Sequence, residues 1–266
     1  MKLSDLIVLI RGAGEMATGV AWRLYQSRFK ILLTEVPHPL AVRREVSFCE
    51  AVYKGRKQVE GVEAVLIHSP DEIAGAWGSL QIPLLIDPDL SFSLAVPPDV
   101  LVDAILAKRN IGTLIKQAPL VIALGPGFKA GRDAHLVIET NRGHNLGRII
   151  TDGEAEADTG VPGIIGGYSK ERVLRAPRQG TVKGLKRIGD PVAQDEIVAQ
   201  VDGGPVRAEI KGILRGLIRD GTPVPAGLKI GDIDPRGNRE FCFTISEKAR
   251  AIAGSVLEGI LRVFNR

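Results

Sequence analysis

Residues 6–35 read LIVLIRGAGEMATGVAWRLYQSRFKILLTE, and this stretch sets the expected fold. Leu6 to Ile10 is an unbroken apolar run, the pattern of a strand buried on both faces of a parallel sheet. It breaks at Arg11-Gly12-Ala13-Gly14. Met16, Val20 and Leu24 then recur at helical spacing, with Ala17 and Ala21 beside them. A second apolar run, Ile31 to Thr34, ends in Glu35. Gly12, Gly14 and Ala17 fit the spacing G-x-G-x-x-G/A between a strand and a helix, with an acid about 20 residues further on.

Each position has a physical role in that pattern. Gly12 permits a tight turn, Gly14 lets backbone approach a pyrophosphate, and Ala17 lets the helix pack closely on the sheet. Free N–H groups at the helix start attract anions, and Glu35 would accept from ribose hydroxyls. Arg11 lies beside this turn. Glu15 argues the other way, because its carboxylate competes for the same N–H groups. A nucleotide-type site and an empty turn of the same shape both remain open.

Downstream, Val42, Val46, Cys49 and Tyr53 share a helical face, predicting a helix from about Ala41. Arg43 and Arg44 are either phosphate contacts or an exposed basic turn. Strands are expected at 64–67, 82–86 and 120–124, and helices at 71–77 and 98–108. The alternation predicts an α/β, Rossmann-like parallel sheet domain over residues 1–145. Ligands in such sheets bind beyond the carboxyl ends of the strands, which gathers residues 11–15, Glu35, Asp87, Gly125 and Gly127 into one crevice. In DAHLVIETNRGH, residues 133–144, His135 and Glu139 share one face of a strand. They are the candidate catalytic base and acid, with Asn141 as polar anchor and Arg142 as anion clamp. A polar strand end with satisfied hydrogen bonds is the competing reading.

Residues 146–172 read as a Gly-rich linker. Residues 174–202 then align without gaps on residues 206–234, with ten identities in 29 pairs, including Gly180/Gly212, Gly184/Gly216 and Pro191/Pro223. A duplicated unit of short strands and Gly/Pro turns predicts a small two-fold β domain at 173–236. It resembles the barrel-sandwich hybrid of biotinyl and lipoyl carriers. The hairpin 202–205, DGGP, lacks the lysine that carries those cofactors, so no covalent biotin or lipoate is expected. Residues 237–266 read as a strand at 239–245 and a final helix capped by Ser246, packing back on the first domain.

With 25% charged and 44% hydrophobic residues, the composition is that of an ordinary globular chain. No apolar run approaches a membrane span, and no signal-peptide layout is present. Two distant cysteines without a CxxC pair favour a cytoplasmic location and disfavour a cysteine-based zinc site; no metal site is predicted. The net charge of +4 suits an anionic partner, but dispersed basic residues and 5% aromatics disfavour nucleic acid.

The stretches IRGAGEMATGVAWRL, PHPLAVRREVSFCEAVY, DVLVDAILAKRN, LGPGFKAGRDAHLVIETNRGHNLGR, TGVPG, KIGDIDPRG and ISEKARAIAGSVLEGIL resemble the YqeB-like accessory proteins of the selenium-dependent molybdenum hydroxylase system. That family is similar to maturation factors of xanthine dehydrogenase. The resemblance implies a maturation role, with a molybdenum hydroxylase as client and a molybdenum cofactor dinucleotide or similar anion in the crevice. The alternatives are an NAD-dependent oxidoreductase using His135 or His144, with NAD(P) as its cofactor class, and a non-catalytic scaffold with a vestigial nucleotide fold. Whether the chain is an enzyme, and whether it forms a homo-oligomer, stays open at the level of sequence.

Overall fold

The computed structural model describes residues 2–93 and 96–265. The chain divides into two compact units, one of Met1–Pro39, Ser47–Thr159 and Ile245–Arg266, the other of Leu40–Val46 and Gly160–Thr244.

The first unit opens with β1 (Ile7–Arg11), α1 (Glu15–Gln26) and β2 (Lys30–Glu35). After them come α2 (Ala51–Lys54), β3 (Arg56–Val59), β4 (Val62–Ile67), α3 (Ile73–Gly78), β5 (Ile82–Ile86), β6 (Val100–Asp103) and β7 (Leu120–Leu124). The short strands β8 (Lys129–Ala130), β9 (Leu136–Ile138), β10 (Ile149–Ile150) and β11 (Gly153–Glu154) complete the strands of the unit. The helix α4 (Glu247–Phe264) returns at the end of the chain.

Nine strands form one sheet in the order β10-β9-β7-β6-β1-β2-β5-β4-β3. The strands from β9 through β4 run parallel, while β10 on β9 and β3 on β4 are antiparallel. The chain moves outward from β1 through β2 and then restarts at β6 on the other side of β1, so the sheet changes direction between β1 and β6.

This corrects the Rossmann-like parallel sheet. The sheet is mixed, and among the described residues no α-helix connects β5 to β6 or β6 to β7. Residues 98–108, expected as a helix, contain β6, because Val100-Leu101-Val102 pairs with both β1 and β7. A short apolar run fits a strand and a buried helix equally well by spacing alone. The connecting loops, with Leu90 and Ala118, cover one face, where Leu9, Leu32, Leu101, Val121 and Val137 join one apolar cluster. The helix α4 packs on α1, β7 and β9. Gly19 makes the helix crossing close, since a Cβ there would lie 2.8 Å from the Ala249 Cβ.

The helix expected from residue 41 is instead two 3-10 turns, Arg44–Val46 and Phe48–Glu50, running into α2. Residues 239–245, expected as a strand, begin with a 3-10 turn, Arg239–Cys242, capped by the Asn238 side chain.

The second unit holds β12 (Val173–Arg175), β13 (Gly180–Gly184), β14 (Pro191–Val192), β15 (Ile197–Val201), β16 (Gly204–Arg207), β17 (Gly212–Leu217), β18 (Pro223–Val224) and β19 (Lys229–Asp234). They form two four-stranded sheets, β12-β19-β17-β14 and β16-β15-β13-β18. Shifting each strand by one repeat converts one order into the other. Each repeat divides its strands between both sheets, and one apolar cluster includes residues of both.

The unit is not a carrier-type barrel-sandwich hybrid confined to residues 173–236. Segments outside the repeat belong to it: Arg43 donates to the carbonyls of Phe241 and Thr244, at 2.6 and 3.1 Å, and Arg44 donates to that of Leu217 at 2.7 Å. Arg172, also outside the repeat, forms a buried ion pair with Asp232. Arg44 thus ties this segment to β17, and Arg43 ties it to the 3-10 turn Arg239–Cys242 and the residues after it.

Candidate functional site

Because strands β9 through β4 are parallel, their carboxyl ends lie along one edge of the sheet. Residues 11–15, Glu35, Asp87, Asp103, Gly125–Gly127 and Glu139–Arg142 all fall there. Asp103 was missed in the sequence because its strand read as a helix; like Glu35 and Asp87, it is an acid at a strand end.

The turn after β1 is built from the inside. Gly12 has φ +91°, and a Cβ on it would come within 3.3 Å of the Ala104 carbonyl and the Ile105 backbone. Both restrictions demand glycine. The Arg11 guanidinium is buried and donates to Thr113 Oγ1 at 2.6 Å and to the Pro88 carbonyl at 3.1 Å, with Asp103 Oδ2 at 3.5 Å. Thr113 Oγ1 donates onward to Asp103 at 2.5 Å. Burial pushes the Asp103 carboxyl up, opposed by Thr113, Arg11 and the Ile105 N–H. Arg11 therefore braces the carboxyl edge from within.

Glu35 has an internal task as well. Its carboxylate accepts from the N–H groups of Ala13 and Val36, each at 2.9 Å, and so clamps the glycine turn. Burial raises its pKa, and those two N–H groups oppose the rise. Ala17 is fully buried, as close packing of α1 requires. Cys49 donates its N–H to the Ala13 carbonyl at 2.8 Å. Its thiol is pushed well up by burial and by the Glu35 and Glu50 carboxylates, so it stays protonated and unreactive.

Gly125 and Gly127 serve packing. A Cβ on Gly125 would collide with Thr140 Oγ1 at 2.5 Å, and one on Gly127 with the Arg109 backbone at 2.4 Å. Glu139 is buried and accepts from the N–H groups of Asn141 and Glu156, both at 2.7 Å. The Asn141 side chain donates to Glu156 at 2.6 Å, and Arg142 pairs with Glu247. Glu15 accepts from Ser246 Oγ at 2.8 Å, and Ser246 caps α4 by accepting from the Ala249 N–H.

His135 is not at this edge. It precedes β9, whereas Glu139 follows it, which separates the two by about 13 Å along the strand. They share a face but lie at opposite ends, so they cannot act on one substrate atom together. His135 accepts the Val121 N–H on Nδ1 at 2.9 Å. Exposed His144 lies on the loop beyond Glu139, away from His135.

Gly14 differs from the other residues of the edge. It is the N-cap of α1 in an extended conformation, it has no side chain with which to cap the helix, and a Cβ added to it would meet nothing within 4 Å. Gly14 therefore borders open space at the strand end where the sheet changes direction. Among the described residues, no group of three or more His, Cys, Asp or Glu side chains could hold a metal ion.

Comparison with known proteins adds one close relative. The chain is 46% identical over 260 residues to the "Uncharacterized protein YqeB" of Escherichia coli K12, a match covering 98% of this chain and 48% of that protein. The chain thus spans about half the length of the curated relative. No family model matches. Among solved structures, an aspartoacylase family protein from Mesorhizobium loti is 13% identical, covering 86% of this chain and 85% of that one, with a TM-score of 0.28. A succinylglutamate desuccinylase from a Silicibacter species is 14% identical, covering 86% and 84%, with a TM-score of 0.25. The ectoine utilization protein EutE of Ruegeria pomeroyi is 12% identical, covering 80% and 61%, with a TM-score of 0.24. At these TM-scores no residue role or reaction is transferred to this chain.

The maturation reading is corrected accordingly. The printed name of the relative states no maturation role, and the Rossmann-like parallel sheet on which the expected crevice rested is a mixed one. The molybdenum and selenium assignments are withdrawn with it. The NAD-dependent oxidoreductase loses the same parallel sheet, and His135, one of its two candidate acid/bases, stands at the edge of the sheet opposite the glycine turn. The vestigial nucleotide scaffold loses the Rossmann topology on which it rested.

Proposed function

We propose that the first unit binds a small anion, a phosphate- or carboxylate-bearing molecule, at the amino end of α1. The observation that carries this reading is the open space beside Gly14, the glycine N-cap of α1. Amide groups there are oriented donors, and the helix dipole favours negative charge. The place in the fold agrees, since ligands of open α/β sheets gather beyond the strand carboxyl ends where the sheet changes direction. Glu15 opposes an anion, and the Ser246 hydroxyl holds its carboxylate at 2.8 Å, fixing the position of that charge. The net charge of +4 favours anionic partners as a whole. The free, buried state of Cys49 and Cys242 fits a reducing compartment, and we place the chain in the cytoplasm on that basis. No helix among the described residues is long and apolar enough to cross a membrane.

The test is calorimetric titration with inorganic phosphate and with adenosine monophosphate. Gly14 has φ −69° and ψ −171°, which alanine adopts freely, so Gly14→Ala should fold normally while placing a methyl group in the open space. Loss of anion binding in this variant, with an unchanged melting temperature, is the expected result. Equal binding by the variant and the parent would refute the site.

A further inference from the structure

At the opposite edge of the sheet lies an open depression of about 940 Å³ that the Gly14 site does not involve. Its walls are apolar, formed by Pro97, Pro98, Leu114, Ile115 and Pro119, and Leu114 is largely exposed. Its polar lining residues are Lys116, His135 and Gln117, and the Gln117 side-chain oxygen is already taken by the Leu114 N–H at 2.9 Å. Lys116 is exposed and makes no hydrogen bond or ion pair among the described residues. The tautomer of His135 is fixed by its neighbour: Nδ1 accepts the Val121 N–H, so in the neutral ring Nε2 carries the proton and is a donor. Among the described residues no Asp or Glu belongs to the lining. The nearby acids are engaged elsewhere, Asp99 accepting from the Ile7 N–H and Asp133 bound by Arg132 and the Lys129 N–H.

A cation and a fixed N–H donor in an apolar wall, without a competing acid, select a particular ligand chemistry. The geometry points to a second binding site, for an apolar monocarboxylate, whose carboxylate group meets Lys116 and His135 Nε2–H while its hydrocarbon part covers the proline-rich wall. An uncharged apolar molecule would gain the wall but leave both donors without an acceptor. A polar anion such as phosphate would lose the wall and bind less well than at Gly14.

The probe is hexanoate, with hexan-1-ol as the uncharged control, titrated into the full 266-residue chain. The His135 ring nitrogens are followed by NMR above pH 7. Two variants separate the contributions. Lys116→Gln removes the cation from an exposed position. His135→Asn keeps an acceptor for the Val121 N–H, because Asn Oδ1 takes the place of Nδ1, and removes only the outer donor. Hexanoate should shift the Nε2 resonance saturably, each variant should weaken binding by about tenfold, and hexan-1-ol should bind more weakly by a similar factor. No saturable shift, or equal binding of the alcohol, would overturn the proposal. So would loss of hexanoate binding in Gly14→Ala, which would place the carboxylate at α1 instead. Should His135→Asn prove misfolded, Lys116→Gln still decides the matter.

Discussion

Asp103 shows how much of the carboxyl edge is architecture. Its carboxylate accepts from Thr113 beside the buried Arg11 guanidinium, which the Pro88 carbonyl also holds. Asp103→Ala would leave Arg11 buried without its counter-charge, a loss of about 3–5 kcal/mol in urea unfolding. Replacing Arg11 and Asp103 together by apolar residues of similar size should cost much less. His135 gives a second prediction. Burial lowers its pKa below the ordinary 6.5, so the unfolded chain binds the proton more readily. Stability that is present above about pH 6.5 should therefore fall as the pH is lowered through that value. A comparison of unfolding at pH 7.5 and pH 5.5 (conditions on either side of about 6.5) should show the loss in the parent and not in His135→Asn. At this scale the sequence revealed which residues are chemically able, as with Glu35 and Glu139. It could not reveal that their oxygens are already taken by the N–H groups of Ala13, Val36, Asn141 and Glu156. Those partners are set by loop conformation, which spacing does not encode.

Among the elements, β1, α1 and β2 were legible because strand, turn, helix and strand each carry a strong periodic signal over residues 6–35. Ser246 was legible as a cap because a polar residue there precedes an extended helical face. The segment at 98–108 was not, because four residues of β6 carry too little periodicity to separate strand from helix, and the pairing with β1 and β7 decides. Contact between α1 and α4 was likewise hidden, since it depends on Gly19 meeting Ala249 across the fold. Gly19→Ala should force the helices apart and destabilise the first unit by about 1–3 kcal/mol, measured by thermal unfolding. Gly14→Ala, five residues earlier in the same turn-and-helix segment, should change stability by less than about 0.5 kcal/mol. The contrast between the two glycines tests the packing independently of any ligand.

For the molecule as a whole, the repeat at 174–234 was visible in ten identities, and it reappears as two sheets with equivalent strand order. What the repeat could not show is that residues 40–46, distant in sequence, complete the second unit. Gly216 records that contact: a Cβ on it would lie 2.8 Å from the Val42 carbonyl oxygen. Gly216→Ala should therefore displace that segment, costing about 1–3 kcal/mol and exposing residues 40–46 to limited proteolysis. In the first unit the functional reading stands on the open space beside Gly14 at the strand carboxyl ends. The most direct measurement is an amide NMR titration of the full chain with inorganic phosphate. Saturable shifts concentrated at Glu15, Met16 and Ala17, and abolished in Gly14→Ala, are predicted. Shifts scattered over surface lysines and arginines, or identical in the variant, would contradict an anion site at the start of α1.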